Sequence, residues 1–227
     1  MIKEFFDFFH ETNVVKNNML NFNRTESDIS ANKKLIIISG ENASGKSISC
    51  RILAKLSITK SFLYKEISMG DRNGKSYFSS VINYGRYGDE DKESTGYLTV
   101  YRIIKDLDSL INQSSDNFVF SVDEPELGLG EEYHFALGQL LALRYLDAMK
   151  TNRCQLFVII SHSKNIFNGL LSELSFTPVA MFFSMNKTEY DFYHWLNVKT
   201  ENKTIEQLLD LPEKSKQKRK ELAAYIK

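Results

Sequence analysis

Two glycines, a lysine and a serine stand at a fixed spacing near residue 40, and residues of these types can bind phosphate. They belong to the segment Gly40-Glu41-Asn42-Ala43-Ser44-Gly45-Lys46-Ser47, which fits the pattern G-x-x-x-x-G-K-[ST]. The glycines permit the backbone angles that turn consecutive N–H groups around a phosphate. The lysine can contact the β- and γ-phosphates, and the serine can bind Mg²⁺. The pattern therefore predicts that these eight residues bind a nucleotide and, through Ser47, magnesium.

The residues on either side predict the strand and the helix that this pattern needs. Leu35-Ile36-Ile37-Ile38 is a continuous apolar run, typical of a strand that is buried on both faces. After the segment, apolar residues recur at helical spacing: Ile48, Ile52, Leu53 and Leu56. A helix that begins near Gly45 would direct the positive end of its dipole at the same phosphate.

A pair of acids follows a second buried strand. Phe118-Val119-Phe120-Ser121-Val122 is apolar enough for such a strand and ends in Asp123-Glu124. A carboxylate at Asp123 can complete the Mg²⁺ coordination that Ser47 begins. Glu124 is not needed as a metal ligand, so it can orient and deprotonate an attacking water. The alternative is that both are surface acids at the end of a strand.

A histidine follows a third buried strand, where Leu156–Ile160 leads into Ser161-His162-Ser163. An imidazole at His162 can hydrogen-bond the γ-phosphate, although taken alone the residue is more simply a capping or core histidine. Three buried strands that alternate with helical stretches predict an α/β fold with a parallel sheet flanked by helices. All three motifs then lie at carboxyl ends of strands, where such sheets bind ligands.

Length and composition limit what surrounds these motifs. The chain has 227 residues, a mass of 26.2 kDa and 42% hydrophobic residues, which suits one domain over residues 1–227, with the motifs in 35–163 and a hairpin and helices in 164–227. Its 29 basic and 29 acidic residues give a net charge of zero, so no overall electrostatic field favours binding to nucleic acid or to an anionic membrane. Cys50 and Cys154 match no metal-ligand spacing and predict reduced thiols. The apolar runs are short, so we expect a cytoplasmic protein without membrane insertion.

Further patterns predict the remaining elements. Apolar residues at three- and four-residue steps predict helices over Tyr97–Ile111 and Phe135–Met149. Apolar runs separated by turn residues predict two antiparallel pairs: a small lobe of Phe62–Ile67 with Ser76–Tyr84, and a hairpin of Val179–Ser184 with Tyr190–Trp195.

The end of the sequence predicts a short helix and a basic run. Thr204–Leu211 has a helical apolar pattern that Pro212 should end. Lys214–Lys220 follows as a basic run, which either contacts nucleic acid or is a solvated helix face. No heptad pattern is sustained, so no coiled-coil arm is expected.

The three motifs, in this order, resemble those of the ABC-type ATPases, in particular the soluble, non-transporter branch of chromosome-maintenance, recombination and OLD-like defence and phage ATPases. Gly40–Ser47 looks like the Walker A loop, Phe118–Glu124 like Walker B with its catalytic glutamate, and Ser161-His162 like the switch histidine. The continuation from Pro125 to Leu129 is similar to that of the same branch. The resemblance implies an AAA-type ATP-binding domain with a P-loop core, with ATP and Mg²⁺ as cofactors and catalytic roles for Lys46, Glu124 and His162.

The resemblance also implies an ATP-dependent homodimer. In the family, a signature motif at the start of a helix reaches across to the nucleotide of the other subunit. Ser94-Thr95-Gly96 occupies that place, with Ser94 and Gly96 as the candidate nucleotide contacts. A simple helix cap explains these residues equally well.

Two differences from the family's motifs help to rank the candidate functions. No glutamine occurs between Lys46 and Gln113, where transporter members carry one, and Leu127–Gly130 replaces the usual aspartate loop. The leading hypothesis is an ATPase dimer whose closing and reopening acts on a partner protein or nucleic acid. The alternative is a low-turnover, ATP-gated regulatory subunit of a separate nuclease, terminase or toxin. A transporter ATPase is less expected, as is a nucleotide kinase, which would need an arginine-rich lid.

Overall fold

The computed structural model describes residues 2–12, 21–24, 34–42, 44–68, 95–112, 115–184, 191–199 and 202–223. This is an α/β chain with six strands, mostly parallel, flanked by helices. In chain order the elements are α1 (Ile2–Glu11), β1 (Asn21–Arg24), β2 (Leu35–Gly40), α2 (Ser47–Thr59), β3 (Leu63–Ile67), α3 (Thr95–Asn112), β4 (Phe118–Asp123), a 3-10 turn (Glu131–Tyr133), α4 (His134–Lys150), β5 (Cys154–Ile160), α5 (Lys164–Glu173), β6 (Val179–Ser184), α6 (Phe192–Asn197) and α7 (Ile205–Ala223). They group into two compact units, residues 1–56 with 178–227 and residues 57–177.

The first unit contains the strands β1, β6 and β2, in that order. All residues of β2 and β6 are buried, and these two strands pair in parallel, whereas β1 pairs antiparallel with β6. Helix α1 buries Phe5 and Phe9 completely, and the ring of Phe9 lies edge-on to Phe22 and Phe183. This apolar packing holds α1 against β1 and β6, and β6 in turn pairs with β2, the strand from which the loop begins.

The second unit contains parallel strands in the order β5, β4, β3. Five of the six residues of β4 are buried, and Leu156–Ile160 of β5 is completely buried. Asp123 pairs with Ile160 in the ladder, so the two strands end level with each other. The loops that begin at Glu124 and Ser161 therefore leave the sheet side by side.

Helices α4 and α5 pack closely because glycines stand where they meet. A Cβ on Gly138 would lie 2.0 Å from the carbonyl oxygen of Ile166, and a Cβ on Gly169 would lie 2.0 Å from that of Phe135. Any side chain at either position would force the two backbones apart. The pair of glycines therefore fixes the start of α5, and the loop before it, relative to α4.

Most of the predicted core is confirmed. The strands at Leu35–Ile38, Phe118–Val122 and Leu156–Ile160 form as expected, as do the helices over Tyr97–Ile111 and Phe135–Met149. The described segments include no long helical arm. Among those same segments, no helix combines the length and the apolar character that a membrane span requires.

The predicted hairpin after residue 178 is wrong. Val179–Ser184 forms β6, but Phe192–Asn197 is the helix α6 rather than a returning strand. Asp191 caps this helix, since its carboxylate accepts the backbone N–H of His194 at 2.7 Å. The aromatic residues that suggested a strand lie instead on a short capped helix.

The predicted helix end at Pro212 is also wrong, because α7 continues through it. Proline removes the N–H that would bond the carbonyl of Leu208, but Leu208 is 64% exposed, so water can satisfy that oxygen. In the predicted lobe, the strand at Phe62–Ile67 forms as β3, which pairs in parallel with β4. Its expected partner Ser76–Tyr84 lies outside the described residues.

Candidate functional site

The loop from Gly40 to Ser47 begins and ends with backbone turns that require glycine. Gly40 has a φ of 151° and Gly45 a φ of 100°. A Cβ on Gly40 would lie 2.1 Å from the carbonyl oxygen of Phe183, and the N–H of Glu41 donates to that same oxygen at 2.9 Å. The loop is thereby fastened to β6 at one end and to the first turn of α2 at the other.

The lysine of this loop points inward. Lys46 is only 6% exposed, and its Nζ donates to the carbonyl oxygens of Gly40 at 3.2 Å and Glu41 at 2.7 Å. The hydroxyl of Ser44 donates to Glu41 O at 2.8 Å. The ammonium is therefore held by the carbonyls of the loop that surrounds it, directly before the N-terminus of α2, where a phosphate would find both a charge and a helix dipole.

The other residues of the loop differ in exposure. Ser44 is completely buried, whereas Glu41, Asn42 and Ser47 are exposed; Ala43 lies outside the described residues. Ser47 is the first residue of α2. Ser47 therefore stands at the exposed start of the helix.

The predicted acids stand at the end of β4, in the second unit. Asp123 is half-buried and is the last residue of the strand. Glu124 has a φ of 52°, which is left-handed backbone, and its N–H donates to Ile160 O at 2.9 Å. For a residue other than glycine this conformation costs about 1–3 kcal/mol, and Ser61 and Asn152 adopt it as well.

The predicted histidine meets the second of these acids. Nε2 of His162 lies 3.2 Å from Oε1 of Glu124, and each side chain is about one-third exposed, at 32% and 33%. Because a carboxylate only accepts hydrogen bonds, Nε2 must carry the proton if the two are bonded. Two loops from neighbouring strands therefore bring an acid and an imidazole together within reach of solvent.

Three residues that the sequence did not single out as site residues form bonds in the two loops or beside them. The carboxylate of Glu126 accepts the backbone N–H of His162 at 2.8 Å. The hydroxyl of Ser163 accepts the N–H of Ile166 as the cap of α5 and lies 2.9 Å from Nδ1 of His134. Glu126 could have been suspected from its place two residues after Glu124, but no sequence signal indicates His134.

The signature candidate is only partly described. Ser94 lies outside the described residues, while Gly96 is buried in the first turn of α3. A Cβ on Gly96 would lie 2.6 Å from Gly128 O and 2.7 Å from Cδ2 of Leu129. Close packing within the second unit is therefore sufficient to explain the glycine, and its contact with the nucleotide of another subunit stays a prediction.

The predicted Mg²⁺ ligands offer suitable donor atoms. The hydroxyl of Ser47 and the carboxylate of Asp123 are oxygen donors, which Mg²⁺ prefers. Ser47 belongs to the first unit and Asp123, with Glu124 and His162, to the second. That all of these residues meet around one triphosphate stays a prediction.

A scan against models of protein families gave no match to this chain, and a search of curated proteins gave no significant relative.

Proposed function

We propose that this chain binds ATP with Mg²⁺ at the Gly40–Ser47 loop and hydrolyses it. The observation that carries the proposal is the conformation of this loop, with two turns that require glycine and an inward-pointing Lys46 before the start of a helix. On binding, the backbone N–H groups surround the β- and γ-phosphates, and Lys46 exchanges loop carbonyls for phosphate oxygens.

In this proposal Mg²⁺ is held by Ser47 and Asp123, whose oxygens suit it. When bound, the ion neutralises charge on the β- and γ-phosphates. The residues of the chain then supply orientation and proton transfer.

Glu124 is proposed as the general base. It takes a proton from a water whose oxygen attacks the γ-phosphorus, the bond from that phosphorus to the β-phosphate oxygen breaks, and ADP and phosphate leave. Nε2 of His162 lies 3.2 Å from Oε1 of this acid, so its N–H can hold the carboxylate in place or, when ATP is bound, donate to the γ-phosphate instead. The left-handed backbone of Glu124 supports a functional role, since such strain concentrates at active sites.

We further propose that two copies close on ATP and reopen after hydrolysis, and that this change acts on a partner protein or nucleic acid in the cytoplasm. A low-turnover, ATP-gated regulatory subunit of a separate effector is the second candidate. It is favoured by the incomplete signature sequence Ser94-Thr95-Gly96 and by the burial of Gly96 against Gly128 and Leu129.

The test is to measure ATP binding and phosphate release by the purified chain, with Mg²⁺ or with a chelator, alone and with DNA. The ATPase proposal predicts sustained phosphate release that requires Mg²⁺. Tight nucleotide occupancy without phosphate release would favour the regulatory subunit. A chain that binds no ATP under any of these conditions would contradict both.

A further inference from the structure

We propose that Glu126 is a positioning residue whose carboxylate holds the backbone of His162 so that the imidazole faces Glu124. This inference rests on the proposed function and deepens it. It adds to the site a residue that acts through the histidine.

The contact itself is specific. Oε1 of Glu126 accepts the backbone N–H of His162 at 2.8 Å, from a residue 36 positions away in the sequence. A hydrogen bond from an amide to a carboxylate is about twice as strong as one between neutral groups. It joins the loop after β4 to the loop after β5 at the residue that must face Glu124.

The chain around Glu126 directs its side chain to this place. Glu124 turns the backbone with its φ of 52°, and the buried Pro125 follows with its restricted φ. The N–H of Leu127 then donates to Glu124 O at 3.3 Å, and that of Leu129 to Glu126 O at 3.0 Å. Two tight turns in succession therefore set the direction in which Glu126 points.

The neighbours of His162 are held by other bonds. The N–H of Ser163 donates to Oγ of the buried Ser161 at 2.9 Å, and Ser163 caps α5 through Ile166. These bonds lie within the loop and the start of α5. Removal of the Glu126 carboxylate should therefore free the backbone N–H of His162 from its bond and leave Ser161 and Ser163 in place.

The second oxygen of Glu126 limits how much this residue can stabilise the fold. Oε2 is buried and has no hydrogen-bond partner among the described residues. A buried polar atom without a partner costs about 1–3 kcal/mol. The bond to the peptide of His162 has to offset this cost, so we expect Glu126 to add little net stability to the fold.

The test is a double-mutant experiment read by NMR on the imidazole of His162, without nucleotide. In the otherwise wild-type chain, Glu124→Gln should shift the ring resonances because the two side chains lie 3.2 Å apart. In a Glu126→Ala background the same substitution should shift them by less than half as much. In a Glu126→Gln background, which keeps an acceptor oxygen, the full response should return.

Control variants keep the result interpretable. Glu132→Ala removes an exposed acid of the neighbouring turn and should leave the response unchanged. If Glu126→Ala does not fold, Glu126→Asp retains the charge on a shorter side chain and should reduce the response in the same way. A full response in either folded variant would overturn the proposal.

Activity provides the second measurement. Glu126→Ala should lower kcat for ATP about tenfold or more with KM changed less than twofold, since misplacing a catalytic group chiefly affects the transition state. Glu126→Gln should recover most of the loss, and wild-type kcat in Glu126→Ala would contradict the proposed role. If the wild-type chain hydrolyses no ATP, the proposed function fails, and the NMR response alone decides whether Glu126 positions His162.

Discussion

Nε2 of His162 lies 3.2 Å from Oε1 of Glu124, across two loops that leave neighbouring parallel strands. The level ends of β4 and β5 bring the two backbones together, and the N–H of Glu124 extends the ladder to Ile160 O. The left-handed turn at Glu124 then directs its side chain toward the histidine. An acid held at hydrogen-bond distance from an imidazole can keep one orientation while a water is activated.

Lys46 should be necessary for ATP binding. Its buried ammonium is the cation of the Gly40–Ser47 loop, so Lys46→Ala should weaken binding of a fluorescent ATP analogue by tenfold or more, measured as a Kd at fixed Mg²⁺. Lys55→Ala, which removes an exposed lysine from the same helix, is the matched control and should bind normally. Equal Kd values for the ATP analogue in the two variants would show that Lys46 does not contribute to ATP binding.

A variant that binds but does not hydrolyse ATP should accumulate as a dimer. Glu124→Gln retains the loop and Lys46, so with ATP and Mg²⁺ it should elute earlier in size-exclusion chromatography than it does without nucleotide. The wild-type chain should show a smaller change because hydrolysis reopens it. A monomer under all conditions would contradict the proposed closure on ATP.

Gly138→Ala should destabilise the protein although alanine favours helices. The new Cβ would lie 2.0 Å from Ile166 O, and overpacking of this kind costs about 1–3 kcal/mol of unfolding free energy. Chemical denaturation measures the change. Ala136→Gly, at an exposed position of the same helix, should lose only about 1 kcal/mol through helix propensity. A Gly138→Ala protein more stable than the wild type would show that α4 and α5 are not in close contact there.

Tyr193→Phe should leave the free energy of unfolding unchanged or raise it. The hydroxyl of Tyr193 is buried and has no hydrogen-bond partner among the described residues, so its removal takes away a cost. Tyr64→Phe is the matched control, because the Tyr64 hydroxyl lies 3.0 Å from Oε2 of Glu66 and 2.9 Å from Oγ of Ser121. That variant should lose about 1 kcal/mol by thermal or chemical denaturation. A loss at Tyr193 as large as that at Tyr64 would contradict this account.

The same tyrosine predicts a dependence on alkaline pH. Burial, with a smaller effect of the Asp191 carboxylate, raises the pKa of Tyr193 above its ordinary 10.0. Folding therefore favours the neutral phenol over the phenolate, a stability that is complete below pH 10.0 and is lost as the pH rises through the folded-state pKa. Between pH 9 and 11 the wild-type chain should lose more stability than Tyr193→Phe. Parallel curves for the two proteins would exclude the effect.

The sequence predicts the strands and helices well where apolar patterns are long. It predicts them less well where a single polar contact determines whether a segment is helical or where a helix ends. Leu35–Ile38 and Leu156–Ile160 are apolar runs typical of buried strands, and both strands form. Asp191 caps the helix that forms from an aromatic stretch, and α7 continues through Pro212 in a part of the helix where Leu208 is exposed. Neither the cap at Asp191 nor the continuation of α7 through Pro212 can be recognised from the spacing of apolar residues in the sequence.

In the candidate site, too, some residues could be predicted from sequence patterns and others could not. Glycine and lysine spacing indicates the Gly40–Ser47 loop, and the acids and histidine stand at strand ends as expected. The supporting contacts are different, because Glu126 reaches His162 and His134 reaches Ser163 only after the loops have folded. Apolar residues of α4 also mislead, since Phe135, Leu143 and Leu146 suit a buried face but are 37–50% exposed.

The central claim is that this chain hydrolyses ATP with Glu124 as the base, and phosphate release by Glu124→Gln tests it most directly. With saturating ATP and Mg²⁺, the variant should release phosphate about 10²–10⁴-fold more slowly than the wild type and still bind ATP. The exposed Glu132→Gln is the control and should retain the wild-type rate. Undiminished phosphate release by Glu124→Gln would contradict the account.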